Sequence, residues 1–351
     1  MKTANKQIAI WLLTGCFLIF IMVLVGGITR LTGSGLSITE WKPIMGAIPP
    51  LNDAEWNIAF QKYQQIPQFQ KINYHFDLND FKTIFWWEFI HRLIGRLIGI
   101  VFLLPFFYFL VKKKFQKSTI KKVLFLFLLG ALQGFLGWFM VSSGLAERTS
   151  VSHIRLAIHL MTAFITFAFT FYFALELIYE DVQNQKIAPE SFHFKKFNNL
   201  IFSLLIVQII YGAFVAGLHA GKLHNTFPLM SGQIFPSGMD VLDSFAANIF
   251  DNPVTVQFIH RFMAFTLVFL CLWIFFQSKK SILNNFQRKG INWLLTAVLV
   301  QFLLGVLTIL SQVNIVLASL HQIGAFFLFS VSIFLIYHFK TSSQKHFNSS
   351  I

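Results

Sequence analysis

The sequence predicts an all-α integral membrane protein with eight transmembrane helices in two pseudo-symmetric four-helix bundles. Three observations predict this fold. Of the 351 residues, 56% are hydrophobic and only 12% are charged, about half the charged fraction of a soluble domain. Eight apolar windows are each long enough to cross a bilayer. Motifs of the first half of the chain also recur in the second half.

A membrane-spanning helix needs about 20 mostly apolar residues. The windows that meet this requirement lie at approximately 8–28, 86–111, 121–142, 153–178, 197–217, 254–276, 290–312 and 315–338. The first apolar run is too long for a signal-peptide core and is followed by no small-residue cleavage site. We therefore expect it to be retained as the first helix. The windows leave two long loops, 29–85 and 218–253.

The basic residues predict the orientation of the helices. With the N-terminus inside, 17 Lys and Arg residues fall in inner segments and 7 in outer segments, and 4 arginines fall within helices. Cytoplasmic loops carry the excess of basic residues in membrane proteins. We therefore expect both termini to be cytoplasmic and the net charge of +14 to reflect membrane topology rather than nucleic-acid binding. Because no Arg- and Ser-rich transit segment is present, a bacterial inner (cell) membrane is expected.

The first long loop contains a predicted amphipathic helix. Asn52 or Asp53 can cap it, and Trp56, Phe60 and Tyr63 follow at helical spacing. Two interpretations remain open at this point. The apolar face can lie on the membrane surface, or it can pack on the protein itself.

An internal repeat relates the two halves. The matched segments are 89–92 with 258–261, 132–137 with 300–305, and 156–160 with 317–321. Gly27 and Pro43 also match Gly212 and Pro228. The repeat predicts two parallel four-helix halves, 1–190 and 191–351.

Four histidines lie within the predicted spans, one on each even-numbered helix. They are His91, His159, His260 and His321. A lone membrane histidine is usually a hydrogen-bonded core residue, but four at matched depth favour a ligand site. Zinc would need further ligands, whereas two axial histidines across a helical bundle suit haem.

Glycines and arginines near these histidines support that interpretation. Small-residue pairs occur at Gly95 and Gly99 and at Gly130 and Gly134, although plain helix packing by itself explains each such glycine. The four arginines within the spans could pair with outward-facing haem propionates, or their side chains could simply reach the membrane interface. These arginines are Arg92, Arg96, Arg155 and Arg261.

The two halves differ at one ionisable position. Glu88 lies one helical turn before His91, and the matching position before His260 is Gln257. A carboxylate on one side only could move protons or stabilise a developing cation. It could also be a structural partner for Arg92 or Arg96. The asymmetry predicts that the second half holds a fixed haem and that chemistry occurs in the first.

At this point the motifs resemble those of the haem A synthase family, in the branch of proteobacteria and mitochondria. The matching segments are 26–37, 41–43, 46–50, 81–85, 88–96 and 133–144. The resemblance covers nearly the whole chain. It implies eight helices in two bundles and two successive hydroxylations of the C8 methyl group of haem O, which give the formyl group of haem A.

The resemblance also implies roles for individual residues. Glu88 would be the catalytic carboxylate, and His91 and His159 would ligate the substrate haem. His260 and His321 would ligate the iron of a haem b that carries electrons. As partners it implies haem O, a haem O synthase and cytochrome oxidase assembly factors, and a homo-oligomer is compatible with it. The cysteine pair that the Gram-positive branch has in an outer loop is missing, because Cys16 and Cys271 both lie in spans.

Two other functions share the four histidines. One is a dihaem b-type electron-transfer subunit that oxidises quinol, and the other is a non-catalytic haem delivery protein. Neither predicts the difference between Glu88 and Gln257. Four further histidines are expected at the surface, with contact to haem as the lesser alternative; these are His75, His153, His219 and His224.

Overall fold

The computed structural model describes residues 3–41, 45–146, 148–179 and 191–343. Eight helices in these segments are long and apolar enough to cross a membrane. They are α1 (Thr3–Leu31), α4 (Leu78–Val111), α5 (Lys117–Leu145), α6 (His153–Ile178), α7 (Ser191–Gly217), α9 (Pro253–Lys279), α10 (Asn285–Leu310) and α11 (Ile315–Ser343). The predicted all-α membrane fold with eight spans is confirmed.

The two long loops contain shorter helices. These are α2 (Asp53–Gln64), α3 (Pro67–Lys71) and α8 (Phe245–Phe250), with single 3₁₀ turns at Met45–Ala47 and Ala220–Lys222. Some features used in the sequence interpretation lie outside the described residues. They are Pro43, the predicted domain boundary at residue 190, and Lys2, Lys42, Lys186 and Lys345 of the charge distribution.

Helix α4 begins eight residues earlier than its apolar window, at Leu78 rather than at residue 86. A capping box explains this start: the Asp77 carboxylate accepts from the backbone N–H of Asp80 at 2.9 Å, and the Asp80 carboxylate accepts from that of Asp77 at 3.1 Å. The 34 residues of α4 give a rod about 51 Å long. Because a bilayer core is about 30 Å thick, one end of α4 extends beyond the membrane.

Helix α2 packs on the part of α4 that precedes the apolar window. Asn52 caps α2, and the apolar face of α2 packs on α4. The ring of Trp56 lies 4.9 Å from that of Phe85, and the ring of Tyr63 lies 5.3 Å from that of Phe81. All four side chains are buried. The amphipathic helix therefore packs on the protein itself, which decides between the two interpretations of this loop.

The chain divides into two compact units. The first comprises residues 15–166 and 216–218, and the second comprises the described residues of 1–14, 167–215 and 219–351. The first unit contains His91 and His159, and the second contains His260 and His321. Each unit therefore holds one complete histidine pair. The predicted halves, 1–190 and 191–351, stay a prediction.

Candidate functional site

Each of the four membrane histidines lies against a glycine of the preceding long helix. A Cβ atom added to the glycine would lie about 3 Å from the imidazole, closer than ordinary van der Waals contact. The distances are 3.0 Å for Gly26 and His91, 3.1 Å for Gly137 and His159, 3.2 Å for Gly212 and His260, and 2.9 Å for Gly305 and His321. Only glycine therefore lets the rings approach the neighbouring helix this closely.

These glycines are not the small-residue pairs that the sequence suggested. A Cβ added to Gly99, Gly130 or Gly134 would meet nothing within 4 Å, so those glycines do not hold a histidine in place. The contacts also refine the register of the repeat. Gly26, rather than Gly27, occupies the position that Gly212 occupies in the second half.

In the second half, His260 and His321 face each other. Their ring centroids are 6.5 Å apart and their planes are nearly perpendicular, at 83°. A metal ion lies about 2 Å from an imidazole nitrogen that binds it. Two rings that share one metal are therefore separated by about two such bonds plus the two ring radii, which is close to the separation here. This pair has the spacing of two axial ligands.

The tautomer of His321 is suited to metal binding. Its Nδ1 lies 3.1 Å from the backbone carbonyl of Gln301. Because a carbonyl only accepts hydrogen bonds, Nδ1 must carry the proton, which places the lone pair on Nε2, where it faces the Gln301 amide nitrogen at 3.5 Å and is the atom able to bind a metal. Such a hydrogen bond to the other ring nitrogen is the usual support of a metal-binding histidine.

In the first half, His91 lies against Gly26 of α1 and His159 lies against Gly137 of α5. The Nδ1 atoms of His159 and of His260 are buried and make no hydrogen bond with any of the described residues. A buried ring nitrogen without a partner is costly, so these two histidines are not ordinary hydrogen-bonded core residues.

The donor set of these pairs fits haem better than a bare metal ion. Within the described part of the chain, no three His, Cys, Asp or Glu side chains come together at metal-binding distance. Zinc usually requires four ligands. Haem brings four nitrogens of its own and needs only axial ligands from the protein. The two histidines of each pair therefore provide the ligand number that haem requires.

Glu88 is buried on α4, with a relative exposure of 3%, and both of its carboxylate oxygens are occupied. Oε1 accepts from Nη2 of Arg92 at 2.6 Å and from its Nε at 3.1 Å. Oε2 accepts from the hydroxyl of Ser37 at 2.7 Å and from the backbone N–H of Ile38 at 2.8 Å. Four hydrogen bonds, two of them from a cation, stabilise the carboxylate as an anion.

The matching position in the second half makes fewer hydrogen bonds. Gln257 is buried, with a relative exposure of 1%. Its amide nitrogen donates to the backbone carbonyl of His224 at 3.1 Å. Its Oε1 is buried and makes no hydrogen bond. The second half therefore has a neutral amide where the first has a tethered anion.

Two of the arginines hold the loop that follows the preceding helix. Arg92 donates to the carbonyls of Ile38 and Glu40, at 2.8 and 3.0 Å. Arg261 donates in the same way to the carbonyls of His224 and Thr226. The same two-carbonyl contact, two residues apart, thus occurs in each half.

The other arginines make different contacts. Arg155 donates to the carbonyl of Phe139 at 2.8 Å and lies over its ring at 3.8 Å. Arg96 is on the same helix as His91, between one and two turns further along. Arg261, whose carbonyl contacts are given above, is buried, and its Nε makes no hydrogen bond with the described residues. Arg92 differs from Arg155 and Arg261 in that it contacts Glu88 directly.

The four remaining histidines differ in burial. His75 and His219 are exposed. His224 is half-buried, and its Nδ1 lies 2.9 Å from the hydroxyl of Ser231. Burial, and to a smaller extent the nearby Arg261, lowers the pKa of His224 below its usual value. The expectation of a surface position is wrong for His153, which is buried at the start of α6.

Sequence reasoning missed the partners of the site residues. Ser37 and Ile38 bind Glu88 from a loop 50 residues away, and no local pattern indicates such a contact. Three glutamines contact the histidines and could have been found, because each stands four residues before the glycine that faces a histidine. They are Gln133, Gln208 and Gln301.

Comparison with known proteins places the chain in a family. Residues 9–333 match the model of a family described as "Cytochrome oxidase assembly protein". A protein named "Heme A synthase" from Flavobacterium johnsoniae is 50% identical over 96% of this chain and 99% of its own length. Proteins of the same name from Nitrosomonas eutropha and Bartonella henselae are 46% and 42% identical, over 94% and 92% of this chain and 93% and 89% of their own lengths. The chain belongs to the family of cytochrome oxidase assembly proteins.

Proposed function

We propose that this membrane protein is a haem A synthase, an oxidoreductase that converts the C8 methyl group of haem O into the formyl group of haem A. The observation that carries the proposal is the difference between the two histidine pairs. A buried anion, Glu88, lies one turn from His91, and the neutral Gln257 lies at the matching place before His260. A protein that only carries electrons between two equivalent haems would not need this difference.

The two histidine pairs bind different haems in this proposal. His260 and His321 hold a resident haem b, because their rings already stand at the separation of two axial ligands. His91 and His159 bind the iron of the substrate, haem O. Haem iron supplies oxidising equivalents that side chains lack. The first half of the chain, 1–190, is then the substrate half, and 191–351 is the haem b half.

Glu88 acts on the methyl carbon of haem O. Each round removes two electrons from that carbon, which an external oxidant such as dioxygen accepts, and adds one water oxygen with release of two protons. The second round gives a geminal diol, which loses water to form the aldehyde. Because four hydrogen bonds occupy the Glu88 carboxylate, its role is to stabilise the positive charge that develops at C8 rather than to remove a proton.

The arginines orient the substrate in this proposal. Arg96 and Arg155 bind the propionates of haem O, and Arg261 binds those of haem b. Support comes from Arg261, whose buried Nε makes no hydrogen bond. A buried guanidinium favours an anion partner. Arg92 is also available to a propionate, in exchange for one of its two loop carbonyls.

The proposed location is a bacterial inner membrane with both termini in the cytoplasm, as the excess of basic residues in the inner segments predicts. Haem O is then received from a haem O synthase in the same membrane, and haem A passes to cytochrome oxidase assembly factors. A homo-oligomer stays a prediction.

The test is co-expression of the full chain with a haem O synthase, in cells that otherwise make no haem A. The extracted haems are identified by mass. Haem A formation that depends on this chain supports the proposal. Unchanged haem O, together with a bound b-type haem, would instead identify an electron-transfer or haem delivery protein.

A further inference from the structure

Three of the four membrane histidines are contacted by a glutamine of the preceding long helix. Gln133 donates to the backbone carbonyl of His159 at 3.0 Å. Gln208 donates to that of His260, also at 3.0 Å. These bonds join neighbouring helices at the level of the imidazole and fix the helical turn that carries it.

Gln301 of α10 contacts His321 of α11 in a related way. Its backbone carbonyl accepts from Nδ1 of His321, and its amide nitrogen lies 3.5 Å from Nε2 of the same ring. In all three glutamines the amide oxygen is buried and makes no hydrogen bond. The neighbouring rings of His159 and His260 have a buried Nδ1 that is also without a hydrogen bond.

The glutamines act on the backbone of the turn that carries the histidine. The Gln208 amide nitrogen lies 3.5 Å from Nε2 of His260, and among the described residues no bond joins a glutamine amide oxygen to an Nδ1 atom. Gln133 and Gln208 therefore hold the turn of their histidine through its backbone carbonyl.

His91 is the exception. The position four residues before its facing glycine, Gly26, is Met22. The thioether of methionine donates no hydrogen bond and is only a weak acceptor, so it cannot replace the amide. A side-chain hydrogen bond between α1 and α4 does exist, from Thr29 to the carbonyl of Trp87 at 3.3 Å. That bond lies one helical turn before His91 and does not reach the ring.

The His91 ring also has a different orientation. At His159, His260 and His321 the atom nearest the facing glycine is Cε1, at 3.1, 3.2 and 2.9 Å from an added Cβ. At His91 the nearest atom is Nε2, and Cδ2 follows at 3.3 Å. His91, which none of these three glutamines contacts, therefore also differs from the other three histidines in the ring atom that faces the glycine.

We propose that Met22 makes His91 the exchangeable ligand of its site. The bond on the His91 side breaks first and reforms last, while Gln133 keeps His159 in place; the His159 bond then breaks as haem A leaves and forms as haem O enters. The iron–nitrogen bond breaks with its electron pair on the imidazole, so the exchange itself requires no oxidant and no proton. This inference rests on the proposed binding of substrate haem by His91 and His159. It explains why the His91 and His159 pair can release haem A while the His260 and His321 pair retains a resident haem.

The test measures how fast carbon monoxide binds to the reduced full-length protein, purified in detergent and loaded with haem O. Carbon monoxide binds only after one axial histidine has left, so its binding rate reports the release of that histidine. In the unaltered protein we expect fast binding at the haem O site and slow binding at the second site. Met22→Gln should slow binding at the haem O site about fivefold, since one added hydrogen bond contributes about that factor.

Two matched variants complete the test. Met22→Leu, similar in size and unable to form a hydrogen bond, should leave the rate unchanged. Gln133→Met should speed carbon monoxide binding at the same site by at most about twofold, because loosening His159 only adds a second release path beside that of His91; misfolding of Met22→Gln cannot imitate this opposite effect. Equal rates for Met22→Gln and the unaltered protein, or slower binding in Gln133→Met, would overturn the proposal.

The same measurements separate this inference from the proposed function. If the unaltered chain forms no haem A from haem O while the carbon monoxide rates change as expected, the ligand exchange stands and the proposed reaction fails. If haem A is formed and the rates do not respond to Met22→Gln, the reaction stands and the role of Met22 fails.

Discussion

Arg92 donates two hydrogen bonds to a single oxygen of Glu88, from Nη2 at 2.6 Å and from Nε at 3.1 Å. The two residues are one helical turn apart on α4, and both side chains are largely shielded from solvent, with exposures of 13% and 4%. Removing one partner of a buried ion pair lowers the stability of the fold much more than removing one partner of a surface pair does. Since the other Glu88 oxygen binds Ser37 and Ile38, the ion pair also fixes the loop.

Glu88→Gln should stop haem A formation. The amide keeps the size of the side chain but removes the negative charge that we propose stabilises the reacting carbon. We expect haem O, or the singly hydroxylated alcohol, to accumulate in the extracted haems, as measured by mass. Glu40→Gln is the matched control, because Glu40 is exposed and pairs with Lys62. Normal haem A yield from Glu88→Gln would rule out the catalytic role.

Arg92→Lys should release the loop at residues 37–40. Lysine keeps the charge but lacks the planar donor set that reaches Glu88 and two carbonyls together. Faster amide hydrogen exchange is expected at Ile38, whose N–H donates to Glu88. Arg261→Lys is the counterpart in the second half, and it should raise exchange around residues 224–226 instead. If Arg92→Lys leaves exchange at Ile38 unchanged, the loop does not depend on this arginine.

Much of the fold follows from the sequence because the bilayer imposes a simple rule. Every span must be a long apolar helix that satisfies its own backbone hydrogen bonds, so hydropathy alone finds all eight. The four membrane histidines were equally visible, because ionisable groups are rare inside apolar windows. The start of α4 was not visible, since it depends on the polar capping box of Asp77 and Asp80 beyond the apolar window.

The contacts around the site are harder to predict. Ser37 binds Glu88 only because the loop folds back over α4, and that arrangement depends on tertiary packing. The glycines illustrate the same limit. Gly99 and Gly130 each belong to a small-residue pair with the spacing of close helix contacts, but a Cβ added to either would meet nothing within 4 Å. Gly26 and Gly305 instead lie against imidazoles. Spacing along one helix does not show which neighbour a glycine meets.

Trp56→Ala should destabilise the packing of α2 on α4. Trp56 is buried and contacts the rings of Phe81 and Phe85, and replacing a buried aromatic residue by alanine costs about 3–5 kcal/mol. We expect a lower midpoint of thermal unfolding in detergent, with cleavage by protease first appearing in the loop before α4. Ile58→Ala, at a position that is 51% exposed on the same helix, should change the midpoint little. Similar shifts for both variants would show that α2 does not stabilise the site.

Gly305→Ala should weaken haem binding at the site that we propose for His260 and His321. The added methyl group would lie 2.9 Å from Cε1 of His321, closer than carbon atoms normally approach, so the ring must move. Its distance and angle to His260 would then no longer suit two axial ligands. We expect a lower content of tightly bound haem b in the purified protein and a shift from the low-spin to the high-spin optical spectrum. Gly130→Ala is the matched control, because a methyl group there meets nothing within 4 Å, and its spectrum should be unchanged. Full low-spin haem b in Gly305→Ala would mean that His321 is not held against α10 when it binds the iron.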